Sequence, residues 1–142
     1  MVIYMKSFPG PMILKYFADG LPIVCGGYPE DGSASDSPDC YKYSPLSDSW
    51  QLYGTMPNAK VFSAHAYVEN FGLVMAGSYV DDSNSVTVTR DGLNFEELAS
   101  LPLGNYAGCL AVVDEQTLIY TGGEYDKYVA YSYDIPSDSW TM

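Results

Sequence analysis

The sequence predicts an all-β protein built from one unit that occurs three times, and three observations carry that prediction. Trp50, Phe95 and Trp140 recur at a constant step of 45 residues. Gly26-Gly27 returns as Gly77-Ser78 and again as Gly122-Gly123, with steps of 50 and 46 residues from Gly27 to Gly77 to Gly123. Nine prolines and 13 glycines break the 142-residue chain into short stretches, which suits brief strands joined by turns. Self-similarity at such a period marks a repeat architecture, and no segment sustains the apolar spacing of an amphipathic helix.

Each unit opens on an apolar strand, at residues 11–16, 63–68 and 107–113. A turn follows: Ala18-Asp19-Gly20, Glu69-Asn70-Phe71-Gly72 or Asp114-Glu115-Gln116. These residue types favour turns through their backbone freedom and local side-chain bonding. A second strand, at 21–25, 73–76 and 117–121, runs into the glycines. A polar loop then leads to a third strand, at 40–43, 86–89 and 129–133, whose alternation marks two unlike faces. The fourth strand carries the aromatic anchor, at 50–53, 95–98 and from 140 onward. Met56-Pro57 and Leu101-Pro102 close the unit.

Four short strands joined by tight turns make one antiparallel sheet, which cannot bury both faces alone. Radial repetition buries them, which is the logic of a β-propeller. Ile23-Val24-Cys25-Gly26-Gly27 with Tyr43 and Trp50, and Ile119-Tyr120-Thr121-Gly122-Gly123 with Tyr133-Asp134 and Trp140, resemble the kelch repeat. The resemblance covers about residues 11 to 142. It divides the chain into repeat 1 (11–57), a degenerate repeat 2 (58–103) and repeat 3 (104–142), with 1–10 as the last strand of a preceding blade. In the middle repeat Gly77-Ser78, Thr89 and Phe95 stand where the others have Gly-Gly, Tyr and Trp. The resemblance implies a ring of more blades than these three, so the chain is read as part of a larger propeller.

The anchors have structural work to do. Gly26, Gly27, Gly77, Gly122 and Gly123 end strands where backbones crowd, because glycine accepts positive φ and close approach. Trp50, Phe95 and Trp140 wedge between sheets, with Tyr43 and Tyr133 beside the turns.

Cys25 ends a second strand and Cys40 opens the third strand antiparallel to it. Two readings stay open. A disulfide would close a loop of about 15 residues, contribute roughly 3 kcal/mol and place the protein in an oxidising, extracellular compartment. Two unrelated buried thiols would fit the cytoplasm. Cys109, in an apolar strand, reads as a core thiol.

Six basic against 18 acidic residues give a net charge of −12. Nucleic-acid binding requires cations against phosphate, so that class is set aside, as is attraction to an anionic membrane. Acidity serves solubility or meets a basic partner. No apolar run of about 18 residues spans a membrane. His65 is the only histidine; it reads as core or channel packing, and it supports neither a histidine metal site nor a catalytic relay with a nominated partner. Arg90 is the only arginine, so an arginine-lined pocket of the kind used by some kelch-type adaptors is not available from these blades. No catalytic, cofactor-binding or metal-ligating residue is nominated.

The expected function is therefore a non-enzymatic protein-interaction scaffold that binds a protein or peptide through loops on one rim. The candidate residues are Tyr28, Glu30, Asp31, Tyr79, Asp81, Asp82, Glu124, Tyr125 and Asp126, all in loops that follow the glycine position. The alternative is an extracellular propeller that binds or processes carbohydrate.

Overall fold

The structure is a computed structural model that describes the backbone of residues 13–16 and all atoms of 20–27, 37–80 and 83–142. Among these residues the chain forms twelve strands and no helix. They make three four-stranded antiparallel sheets, each a meander of sequence neighbours. Sheet one holds β1 (Ile13–Tyr16), β2 (Pro22–Cys25), β3 (Asp39–Ser44) and β4 (Ser49–Thr55). Sheet two holds β5 (Ala64–Val68), β6 (Gly72–Ala76), β7 (Val86–Thr89) and β8 (Phe95–Leu98). Sheet three holds β9 (Gly108–Val112), β10 (Thr117–Gly122), β11 (Ala130–Asp134) and β12 (Ser139–Thr141). Among the described residues no sheet closes on itself. The repeated unit read from the sequence thus corresponds to one sheet, with most strand bounds within a residue or two of expectation. The segment 1–10 lies outside the described residues.

The sheets stack in chain order through alternate side chains. Ile23, Cys25, Cys40 and Met56 from sheet one join Leu73 and Met75 of sheet two in one apolar cluster. On the opposite face of sheet two, Val74, Ala76, Val86 and Val88 join Leu110, Leu118, Tyr120, Tyr131 and Tyr133 of sheet three. Sheet two is the middle layer. The alternation Val86-Thr87-Val88-Thr89 marks two unlike faces, yet all four residues are buried, because a neighbouring sheet covers each side.

Among the described residues, sheet three is covered on one side. Leu118, Tyr120, Tyr131 and Tyr133 point inward, while Cys109, Ala111 and Thr121 are exposed. Cys109 is therefore not a core thiol: it sits out of phase with the buried Leu110. His65 is exposed on β5, which removes the core half of its reading.

Cys25 and Cys40 face each other directly across β2 and β3. They form a disulfide with Cα atoms 4.0 Å apart, inside the cluster between sheets one and two.

Trp50 and Trp140 sit in matching Tyr–Asp units. Tyr43 packs on Trp50 with ring centroids 5.6 Å apart, and its hydroxyl donates to Asp48 at 2.5 Å. Tyr133 packs on Trp140 at 4.7 Å and donates to Asp138 at 2.6 Å. Asp48 and Asp138 share the same left-handed φ of 47°. Trp140 ties sheet three to sheet two: its Nε1–H donates to the Ala99 carbonyl at 2.8 Å, and Asp138 accepts from Ala99 N–H at 2.7 Å. Phe95 packs on the cluster between sheets one and two.

Candidate functional site, an aromatic rim at the glycine end

The strand ends at Gly26, Gly77 and Gly122 define one rim of the stack. All three glycines adopt a left-handed φ, of 70°, 75° and 71°. A Cβ on Gly26 would collide with the Lys60 carbonyl, and one on Gly77 with the Asn105 carbonyl. The requirement is for close backbone approach as well as for positive φ. Gly26 N–H donates to Asp39 O and Gly77 N–H to Ser85 O, both at 3.0 Å. These bonds return the loops that follow β2 and β6 to the rim from which they leave.

The segments joining one sheet to the next complete the rim. Gly27 N–H donates to Lys60 O at 3.2 Å, and Ser78 N–H to Asn105 O at 3.0 Å. A second tier repeats the pattern: Tyr79 N–H donates to Val61 O at 2.9 Å, and Glu124 N–H to Tyr106 O at 3.1 Å. Donors and acceptors both advance by 45 residues in that tier. Ser78 takes the place of a second glycine by bonding the connecting segment: its hydroxyl accepts from Val61 N–H and donates to Ala59 O.

Two buried polar side chains hold the connecting segments. Lys60 Nζ donates to Ser85 O at 2.8 Å and to Ser85 Oγ at 2.5 Å. Asn105, 1% exposed, is the more elaborate. Its Nδ2 donates to Gly122 O and Asp126 O, and its Oδ1 accepts from the N–H groups of Tyr106 and Tyr125.

On this frame stands a row of aromatic rings. Tyr79 and Tyr106 meet edge to face with centroids 5.0 Å apart, and Tyr106 and Tyr125 do the same at 5.0 Å. Phe62 closes the row against Tyr79 and Tyr106 at 6.2 and 6.4 Å. Phe62, Tyr79 and Tyr125 are 43%, 50% and 62% exposed, and Tyr106 is half-buried between its neighbours. Desolvation raises the Tyr106 phenol above its ordinary value, Glu124, Tyr125 and Tyr79 add to the effect, and Lys127 opposes it. Glu124 pairs with Lys127 at 3.2 Å.

The sequence-predicted loop residues Tyr79, Glu124, Tyr125 and Asp126 thus lie together at one rim. Tyr28, Glu30, Asp31, Asp81 and Asp82 lie outside the described residues. Sequence reasoning missed Phe62, Tyr106 and Asn105, because it treated the segments between sheets as closures of the unit. The 45-residue step from Val61 to Tyr106 and from Phe62 to Ala107 was the available signal; Phe62 and Ala107 even share a left-handed φ of 54°.

Elsewhere a polar cleft of about 310 Å³ has Glu97 as its one ionisable lining group among the described residues. Also among those residues, no three His, Cys, Asp or Glu side chains gather as a metal site. No protein-family model matches the chain, and no curated protein matches it.

Proposed function

We propose that the three sheets are consecutive blades of a kelch-type β-propeller, and that the protein is a non-enzymatic scaffold binding a protein or peptide at the glycine-end rim. Support for the blade reading comes from the duplicated Tyr–Asp–Trp units at Tyr43, Asp48 and Trp50 and at Tyr133, Asp138 and Trp140. The repeated bonds between glycine ends and connecting segments add to it. The binding reading is carried by one observation: Phe62, Tyr79, Tyr106 and Tyr125 form a continuous, partly exposed aromatic row at the rim where the variable loops emerge. Exposed tyrosines on a rigid frame are strong anchors for a protein partner, since they offer a large contact area with little conformational freedom to lose.

Selection of a displayed peptide library on the whole chain tests this. Selected peptides should weaken more than about fivefold on the Tyr79→Ala/Tyr125→Ala double variant. They should be indifferent to Leu46→Ala, a fully exposed position in the β3–β4 turn at the opposite rim. Circular dichroism of each variant confirms folding. Peptides that bind both variants alike would place the site elsewhere.

A second reading, an extracellular carbohydrate-binding propeller, is favoured by the Cys25–Cys40 disulfide, since such bridges persist in oxidising compartments. Rim-dependent glycan binding together with a library that yields no peptide would replace the first reading by this one.

A further inference from the structure

We infer that the aromatic rim accepts a cationic partner, a protein segment rich in arginine or lysine; this rests on the scaffold reading and specifies the chemistry of its ligand. The rings set the local preference. An aromatic face carries partial negative charge, so an exposed row of them attracts guanidinium and ammonium groups. Tyr79 and Tyr125 stand nearly perpendicular to Tyr106, at 76° and 82°, so the row offers ring faces in more than one direction.

The charge of the chain acts in the same sense. Among the described residues of the three segments after the glycine positions, 28–39, 79–85 and 124–128, Asp39, Glu124 and Asp126 stand against one lysine, and the rest of those segments adds five carboxylates and no base by sequence alone. That lysine, Lys127, is paired with Glu124, and Asp126 lies between Tyr125 and Lys127. The other lysine of the rim region, Lys60, is buried and engaged with Ser85. With a net charge of −12, the whole molecule steers cations toward itself and repels acidic chains. A neutral sugar could use the rings but not the field, and an acidic peptide could use neither.

Fluorescence anisotropy with labelled peptides of equal length distinguishes these cases. An Arg/Gly peptide, a Gln/Gly peptide and a Glu/Gly peptide are titrated with the whole chain at low and high salt. The Arg/Gly peptide should bind at least about tenfold tighter than the Gln/Gly peptide, and weaken as salt screens the attraction. Tyr125→Ala and Tyr106→Ala should each reduce its affinity about two- to fivefold, the range of an exposed cation–π contact, while Tyr125→Phe keeps it. Leu46→Ala should leave it unchanged. Equal binding of Arg/Gly and Gln/Gly peptides, both lost on Tyr125→Ala, would overturn the cationic preference and leave the scaffold standing. Arg/Gly binding indifferent to Tyr125→Ala and Tyr106→Ala would show diffuse charge attraction and sink the rim as its site. Failure of all three peptides alongside binding of an oligosaccharide would remove both readings.

Discussion

Tyr120 and Tyr133 fill the space between sheets two and three, with 1% and 0% of their surfaces exposed. Burial pushes the Tyr120 phenol up to about 12, opposed by the nearby Gly108 N–H. Burial first, and then the Asp138 carboxylate to which its hydroxyl donates, also raise Tyr133. The ordinary value is 10.0. Below it, folded and unfolded chains both hold these protons, and the contribution to stability is complete. Above it, the unfolded chain releases them while the folded chain keeps them to higher pH, so stability drains away as pH rises through the folded values. The urea midpoint should hold between about pH 7 and 9 and fall steadily from about pH 10 to 12. Tyr120→Phe keeps the ring and removes one ionisation, and it should flatten that fall. Parallel pH curves for the two proteins would mean that Tyr120 ionises as freely in the folded state as in the unfolded one.

At the scale of elements, the segments between sheets matter as much as the strands, and Asn105 shows why. Its side chain satisfies four backbone groups of the connecting segment and of the loop after β10. Asn105→Ala would orphan these groups in a partly buried setting, where water relieves part of the ~1–3 kcal/mol that each fully buried unsatisfied group costs. A net loss of about 2–4 kcal/mol is expected in urea denaturation, together with a measurable loss of the Arg/Gly peptide's affinity as Tyr125 loses its fixed position. A midpoint within error of the parent would show that the network is dispensable. The same residue explains what could be read in advance. Strands were legible because alternation, turn residues and the 45-residue step are local signals, as at Val86–Thr89 and Thr117–Gly122. The role of Asn105 was not legible, because its partners Gly122 and Asp126 lie 17 and 21 residues away and no local pattern encodes them. Tyr79 and Tyr125 were found because they follow the glycines. Tyr106, the ring that joins them, keeps the 45-residue step from Val61 but not its residue type, so the repeat marks the position and not the ring.

Across the whole molecule, the asymmetry between sheet two and sheet three governs what solvent can reach. Sheet two is buried from both sides, and each fully buried Val or Leu there contributes about 1.5–3 kcal/mol of apolar stabilisation. Sheet three leaves one face open among the described residues, with Cys109, Ala111 and Thr121 on it. The three cysteines therefore occupy three distinct situations: one exposed thiol on that face, and two sulfurs joined between sheets one and two. A thiol-specific reagent should label one cysteine per native chain, at Cys109, and still only one after denaturation without reductant. Reduction in denaturant should bring the count to three. Adding reductant alone should lower the urea midpoint by an amount that corresponds to about 3 kcal/mol, the contribution of closing a loop of about 15 residues. Three reactive thiols in the unreduced, denatured chain would eliminate the disulfide and with it the argument for an oxidising compartment. No labelling of the native chain would mean that the open face of sheet three is covered in solution, and Cys109→Ser would then leave the count unchanged at zero while the covering surface remained to be mapped.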